Sequence, residues 1–461
     1  MDRRRALKTF GAGAAALAIP GTSAIPSQER SEPNIILCMS DDQGRGDTGY
    51  SGHPVLQTPA LEKMAADGIR FDRWYAAAPV CSPTRGSCLT GRHPYRYGIY
   101  HANVGHMPQR EVTLAEALKK RGYATGFFGK WHLGTLTKTV KDSNRGGPRG
   151  EEHYAPPWRH GFDRCFATEA KVPTRDPMVV PEGWRDRTPG SEFGTYYWNE
   201  NGERVTDNLE GDDSRVMMDR VIPFIEKAAQ REQPFLAVVW FHAPHKPVRA
   251  EPRHRQRYPD CSDYEKHYYG CITAMDEQMG RLRQALRRNG VEHNTMLWFC
   301  SDNGPEVGTP GSTGPFRGRK RSLYEGGIRV PSVLVWPDRI DGPRRVTMPC
   351  CTSDYYPTVL EALDLSVEDQ PRPLDGISLM PLIHGHMQER PEPIGFESRQ
   401  QVSLSDNRYK LYSDDAGDTF KLFDLLEDPG ETTDLAEEKP EVLARMKTAL
   451  HSWRQSISAE A

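Results

Sequence analysis

Ile35-Ile36-Leu37-Cys38-Met39-Ser40-Asp41-Asp42, residues 35 to 42, sets five apolar residues against three polar ones, two of them carboxylates. An unbroken apolar run of this length suits a strand buried on both faces, as in a parallel sheet. Three further segments share the layout. Ala124-Thr125-Gly126-Phe127-Phe128 stops at Gly129-Lys130-Trp131-His132, Phe235 to Phe241 stops at His242-Ala243-Pro244-His245, and Met296 to Cys300 stops at Ser301-Asp302-Asn303-Gly304. The segments between them read as helices. Thr113-Leu114-Ala115-Glu116 fits a capping box for a helix running to Arg121 and stopping at Gly122. Tyr264 to Asn289 carries Ile272, Met275, Met279, Leu282 and Leu286 on one face and ends at Gly290. This alternation predicts an α/β fold, a large mixed and mostly parallel sheet flanked by helices. Ligands of such sheets sit at the carboxyl ends of the strands, where all four polar clusters fall.

The 461-residue chain has room for one large α/β body and a smaller appendage. Its 37% hydrophobic and 27% charged residues describe a globular protein, and a formal charge of -3 implies no nucleic-acid partner. Residues 1–24 read as an export signal: Arg3-Arg4-Arg5 precede a short Ala-rich apolar run and a small-residue end at Thr22-Ser23-Ala24. The arginines are twin-arginine-like, with Ala6 where a Phe is usual, so the expected destination is periplasmic or extracellular through twin-arginine or other export machinery. The run is too short and too weakly apolar for a membrane anchor. Nine cysteines include no C-x-x-C pair of a zinc site, and their odd number leaves at least one unpaired. Cys38 and Cys300 lie in apolar runs as small buried hydrophobes, whereas a pair such as Cys261 and Cys271 could close a disulfide outside the cell.

The main body is read as residues 32–390. Residues 391–461 change texture and form a small C-terminal α+β subdomain. Arg408 to Tyr412 and Thr419 to Leu425 suggest an antiparallel meander, and Pro440 to Ile457 a closing helix with Val442, Leu443, Met446, Leu450 and Trp453 on its apolar side.

Asp41, Asp42, Asp302 and Asn303 offer oxygen donors only, which favours a hard cation, Ca²⁺ or Mg²⁺. Either pair alone reads as a turn, but carboxylates gathered at buried strand ends require a counter-ion. Lys130, His132, His242, His245 and Lys320 converge on the same edge, as a cationic pocket for an anionic substrate would. In Cys81-Ser82-Pro83-Thr84-Arg85 the proline suits a first helical turn, which puts Cys81 at a helix N-terminus, where the dipole favours negative charge.

Together these residues resemble the sulfatase family of the alkaline-phosphatase-like superfamily, from Asn34 to the C-terminus. Cys81-Ser82-Pro83-Thr84-Arg85 matches the C-x-P-x-R core, with Leu89-Thr90-Gly91-Arg92 behind it. Gly122 to His132 matches a second motif, and Arg317 to Lys320 with Tyr324 to Pro331 a third. Cys88 and Phe128 depart from the usual smaller or aliphatic residues, which touches packing and not the reacting groups. The resemblance implies that 32–390 is the catalytic domain and that a formylglycine-generating maturation enzyme oxidises Cys81 to Cα-formylglycine. It implies a cation held by Asp41, Asp42, Asp302, Asn303 and residue 81, with Arg85, Lys130 and Lys320 on the sulfate oxygens. His132 stands next to the formylglycine hydroxyl, and the family's His-x-Pro pattern selects His245 over His242. In the implied reaction one hydroxyl of the hydrated aldehyde attacks sulfur, His245 or Lys320 protonates the leaving oxygen, and His132 deprotonates the second hydroxyl to release sulfate. The expected substrate is a sulfated carbohydrate, with an aryl sulfate second. Tyr154, Trp158, Trp184, Tyr196, Tyr197 and Trp198 in the long stretch after His132 either line a sugar site or pack that stretch on the sheet. The alternatives are a formylglycine-dependent phosphonate or phosphodiester hydrolase on the same fold, and a catalytically inactive secreted glycan-binding relative.

Overall fold

The four apolar runs become adjacent parallel strands in the computed structural model, which describes residues 32–458. In chain order the main strands are β1 (Asn34–Ser40), β2 (Ile69–Tyr75), β3 (Ala124–Lys130), β4 (Arg164–Thr168), β5 (Trp198–Asn199), β6 (Phe235–Trp240), β7 (Thr295–Ser301), β8 (Arg329–Val335), β9 (Arg344–Val346) and β10 (Cys350–Cys351). They build one ten-stranded sheet in the order β10-β2-β8-β7-β1-β6-β3-β4-β5, with β9 on β2. At its centre Ile35 to Met39 of β1 run parallel to Leu236 to Trp240 of β6 and to Met296 to Cys300 of β7. Successive side chains point to opposite faces, each covered by helices. Ile35, Leu37 and Met39 enter the cluster of Trp240 and Trp298, while Ile36 and Cys38 enter that of Val239 and Phe299. Burial on both sides is why the run contains no polar interruption.

Two strands lacked the expected texture. β8 lies antiparallel between β7 and β2 and makes the sheet mixed. β2 holds Arg70, Asp72 and Arg73 within a buried strand: Arg70 and Arg45 reach Asp72 at 3.0 and 3.2 Å, and Arg73 donates to the distant Asp406 carbonyl at 3.0 Å. Pro331 in β8 has no N–H to give, and the ladder to β2 shifts register opposite it, between Phe71 and Trp74.

Helix Leu114–Lys119 carries the expected capping box, with Thr113 Oγ1 accepting from the Glu116 N–H at 3.2 Å. Helix Asp263–Arg288 is capped by Ser262 and Glu265 and buries Ile272, Met275, Met279, Leu282 and Leu286. Beyond the large sheet, β11 (Ile394–Ser398), β12 (Gln401–Ser405), β13 (Tyr409–Ser413) and β14 (Lys421–Asp424) form an antiparallel sheet. Helix Pro440–Ser458 covers it through Met446 and Leu450, which meet Val402, Leu404, Leu411 and Leu422. Val442, Leu443 and Trp453 pack at the margin of this cluster.

All nine cysteines are free thiols, which corrects the disulfide expectation. Cys271 is turned inward, its Sγ donating to the Tyr268 carbonyl at 3.2 Å, while Cys261 is half-exposed. The long aromatic stretch mostly packs. Tyr197 and Trp198 are buried, giving their polar hydrogens to Asp213 at 2.6 Å and Asp142 at 2.8 Å. The export signal at residues 1–24 lies outside the described residues. Among those described, no helix is long and apolar enough to cross a membrane.

Candidate functional site

Because β3, β6, β1 and β7 are parallel neighbours, the residues that follow them converge on one edge of the sheet. Asp41 and Asp42 follow β1, Asp302 and Asn303 follow β7, Lys130 closes β3, and His242 to His245 follow β6. Backbone bonds fix the turns: the Asp41 N–H donates to Ala243 O at 3.0 Å and the Asp302 N–H to Ser40 O at 3.1 Å. A Cβ at Gly129 would lie 2.0 Å from the Trp240 carbonyl oxygen, so only glycine lets β3 stay against β6 here, at φ +106°. Helix Cys81–Thr90 begins at Cys81 itself, after an extended Val80. Thr84 Oγ1 donates back to Ala78 O at 2.9 Å and secures that first turn.

Cys81 Sγ lies 3.7 Å from Asp41 Oδ1. Ligand atoms of Asp41, Asp42, Cys81 and His245 all fall within 4.8 Å of one another. Around them the cations pair with carboxylates: Lys130 Nζ to Asp41 Oδ2 at 2.7 Å, Lys320 Nζ to Asp42 Oδ1 at 2.6 Å, and Arg85 Nη2 to Asp302 Oδ2 at 2.6 Å. Arg85 also donates from Nη1 to Lys130 O at 2.9 Å, and its guanidinium lies 5.2 Å from the Trp240 ring centre. Asn303 Nδ2 donates to Asp42 Oδ1 at 2.7 Å, whereas Asn303 Oδ1 is buried with no partner.

These groups strain one another electrostatically. Burial and the Asp41 charge push the Asp302 carboxyl up to about 6. Burial would raise Asp41 too, but Lys130, Arg85 and Lys320 hold it well below the usual carboxylate range. Burial pushes the Cys81 thiol up to about 12, so the unmodified side chain is a protonated, weak nucleophile near neutral pH. His245 is pushed down to about 3 by burial. Three carboxylates, one lone amide oxygen and no soft ligand besides Cys81 fit a hard divalent cation, whose charge would relieve the crowded acids.

The two histidine candidates after β6 separate. His245 Nε2 faces Asp42 Oδ2 at 3.6 Å and its Nδ1 donates to Lys246 O at 2.7 Å. His242 is buried away from this cluster, between Asp213 Oδ2 and Thr168 Oγ1, each at 2.8 Å. His132 stands two residues past Lys130 at φ +57°, its Nε2 2.9 Å from Asn103 Oδ1. That oxygen also accepts from Asn144 Nδ2 at 3.1 Å. An amide oxygen accepts only, so the ring proton sits on Nε2 and the buried, unpartnered Nδ1 keeps a lone pair. Asn103 was missed in the sequence because a lone Asn in a loop carries no motif. Arg317 and Arg319, beside Lys320, serve the backbone: Arg319 Nη2 donates to Gly311 O at 2.8 Å.

Residues 33–365 match the family model described as Sulfatase, and residues 314–456 match that of the N-sulphoglucosamine sulphohydrolase C-terminal region. Human N-acetylgalactosamine-6-sulfatase is 32% identical over 388 residues, 78% of this chain and 67% of the relative. Mouse arylsulfatase G is 33% identical over 385 residues, 77% of this chain and 70% of the relative. Among solved structures, Ps i-CgsB in complex with k-i-k-neocarrahexaose superposes with a TM-score of 0.78 at 26% identity, covering 92% of each chain.

Proposed function

The chain belongs to the sulfatase family of sulfuric ester hydrolases, and on that premise we propose that it cleaves sulfate esters of a carbohydrate, using Cys81 matured to Cα-formylglycine beside a Ca²⁺ or Mg²⁺ ion. The observation that carries this reading is the meeting of Cys81, at a helix start, with the carboxylates ending β1 and β7 inside a ring of three cations. Residues 32–390 form the catalytic domain and 391–461 the C-terminal subdomain. Asp41, Asp42, Asp302 and Asn303 hold the cation together with residue 81, Asn303 through the oxygen that has no partner in the protein. The hydrated aldehyde supplies a hydroxyl nucleophile and a second hydroxyl for release, and the cation compensates charge on the sulfuryl oxygens.

The remaining chemistry falls to this chain's own side chains. Lys130 and Lys320 reach the sulfuryl oxygens, while Arg85, wholly buried, acts from behind Asp41 and Asp302. Lys320 carries ammonium protons for the leaving oxygen, and His245 lies beside it across Asp42. His132 takes a proton through Nδ1, the nitrogen that Asn103 leaves free. Three carboxylates balance Arg85, Lys130 and Lys320. A divalent cation then leaves two positive charges, enough for one sulfate ester and one ionised nucleophile.

Two measurements test this. Mass spectrometry of the tryptic fragment containing residue 81, from protein matured with the modifying enzyme, should find the aldehyde. Parallel assays on sulfate, phosphate and phosphonate esters should find turnover of sulfate. A thiol alone under those conditions, or a clear preference for phosphorus, would overturn the reading.

A further inference from the structure

A fourth cation, Lys171, stands at the same sheet edge and belongs to none of these pairs. β4 ends at Thr168, in register with Lys130. The Trp131 N–H donates to Thr168 O and the His132 N–H to Glu169 O, both at 2.9 Å. Residues 168–169 are therefore clamped along 130–132, and Lys171 follows two residues later. Thr168 Oγ1 donates to Ala170 O at 2.7 Å and meets His242 Nε2 at 2.8 Å, with Asp213 behind the imidazole. This buried chain of bonds, which gives His242 its place, fixes the peptide just ahead of Lys171.

Lys171 is half-buried, and among the described residues no carboxylate or hydrogen-bond acceptor meets its ammonium. Burial and the charges of Lys130, Arg185 and Lys320 press its pKa below the ordinary lysine value. Arg185 is exposed, lies 4.9 Å over the Trp184 ring and likewise has no carboxylate partner. Removing an ammonium from water among like charges is costly unless an anion compensates it. The carboxylates, three site cations, divalent ion, sulfate and nucleophile already cancel, so Lys171 and Arg185 are surplus to the reaction itself.

We propose that Lys171 and Arg185 form a second anion subsite beside the scissile sulfate, which takes a further carboxylate or sulfate ester of the substrate glycan. The inference rests on the sulfatase reading and narrows its substrate class to sugars that carry two anionic groups.

The test uses the matured full chain and three substrates: a sugar monosulfate, the same sugar with a second sulfate ester, and the monosulfate linked to a uronic acid. Wild type should prefer one doubly anionic substrate over the monosulfate by about tenfold or more in kcat/KM, as for a hydrogen bond between charged groups. The favoured arm identifies sulfate or carboxylate as the occupant. Lys171→Gln and Arg185→Gln should each shrink that ratio, Lys171→Arg should keep it, and added salt should narrow it in wild type. Arg185→Gln changes an exposed side chain and serves if Lys171→Gln folds poorly. Equal turnover of all three substrates by wild type, or equal losses on all three in both Gln variants, would overturn the subsite. Absence of turnover on any sulfate ester would instead overturn the sulfatase reading, and the subsite with it.

Discussion

At the scale of single residues, the site is built from groups that are costly alone and acceptable together. Asp302 shows this: burial and Asp41 raise its carboxyl to about 6, and Arg85 at 2.6 Å is its direct compensation. A bound dication would add more, so metal occupancy should appear as folding stability. At a hundred times its dissociation constant a ligand adds about 2.7 kcal/mol. Wild type should therefore melt higher with Ca²⁺ or Mg²⁺ than with chelator, and Asp302→Ala should lose both that increment and turnover. A full melting increment retained in Asp302→Ala would remove it from the ligand set. Asn103 makes a different prediction, because among the proposed catalytic groups it meets His132, at the nitrogen turned away from the one that takes the proton. Asn103→Leu frees the ring to change tautomer and rotate, and kcat should fall about 10²-fold, the lower end of what a positioned base supplies, with KM little changed. An unchanged kcat would show that the lone pair on Nδ1 is not used.

At the scale of elements, a buried ion triad joins the apolar cluster of Tyr75, Phe396 and Tyr412 in linking the two sheets. Lys410 on β13 lies between Glu325, 3.0 Å away at the start of helix Glu325–Ile328, and Glu431, 2.8 Å away, all three out of contact with solvent. Burial and the Glu325 charge raise Glu431 to about 7. Lys410→Met leaves Glu431 without its cation, whereas Glu325 keeps Arg329 at 3.3 Å and the Tyr75 hydroxyl at 2.9 Å, and should cost about 3–5 kcal/mol in urea unfolding at neutral pH. Adding Glu431→Gln should recover much of the loss, and failure to do so would mean that Lys410 acts through packing. This triad was invisible in the sequence, since its members are 85 and 106 residues from Glu325. The central strands were legible for the opposite reason. Burial on both faces leaves an uninterrupted apolar run, and a parallel sheet sends every such run's polar end to the same edge. β2 hid because Arg70, Asp72 and Arg73 find their partners through tertiary contacts, and β8 because Pro331 argues against a strand. Cys81 was legible through Pro83 and Arg85, while Asn103 and Lys171 owe their places to contacts that no local pattern records.

At the scale of the whole molecule, the C-terminal helix is tied to the α/β body beside His93, just past helix Cys81–Thr90. The His93 ring meets Trp453 at 4.9 Å and 85°, and the backbone N–H of His93 donates to Asp375 Oδ2 at 2.6 Å. Nearby, Arg96 donates to the Ser456 carbonyl at 2.7 Å. Burial, with Arg96 adding to it and Asp375 opposing, pushes His93 down to about 4. An unfolded histidine titrates near 6.5. Between those values the unfolded chain binds a proton that the folded chain refuses, so the contribution of this group is complete above about pH 6.5 and is lost as pH falls toward 4. A shift of this size is worth up to about 3 kcal/mol. Other buried groups titrate in the same window, some with the opposite sign, but they cancel when wild type is compared with His93→Gln at each pH. The variant should be the less stable protein at pH 7, for it loses the ring contact with Trp453. Its deficit should then shrink by up to about 3 kcal/mol on going to pH 4, measured by urea unfolding in steps of pH. A deficit independent of pH would mean that His93 takes up its proton as readily in the folded chain as in the unfolded one.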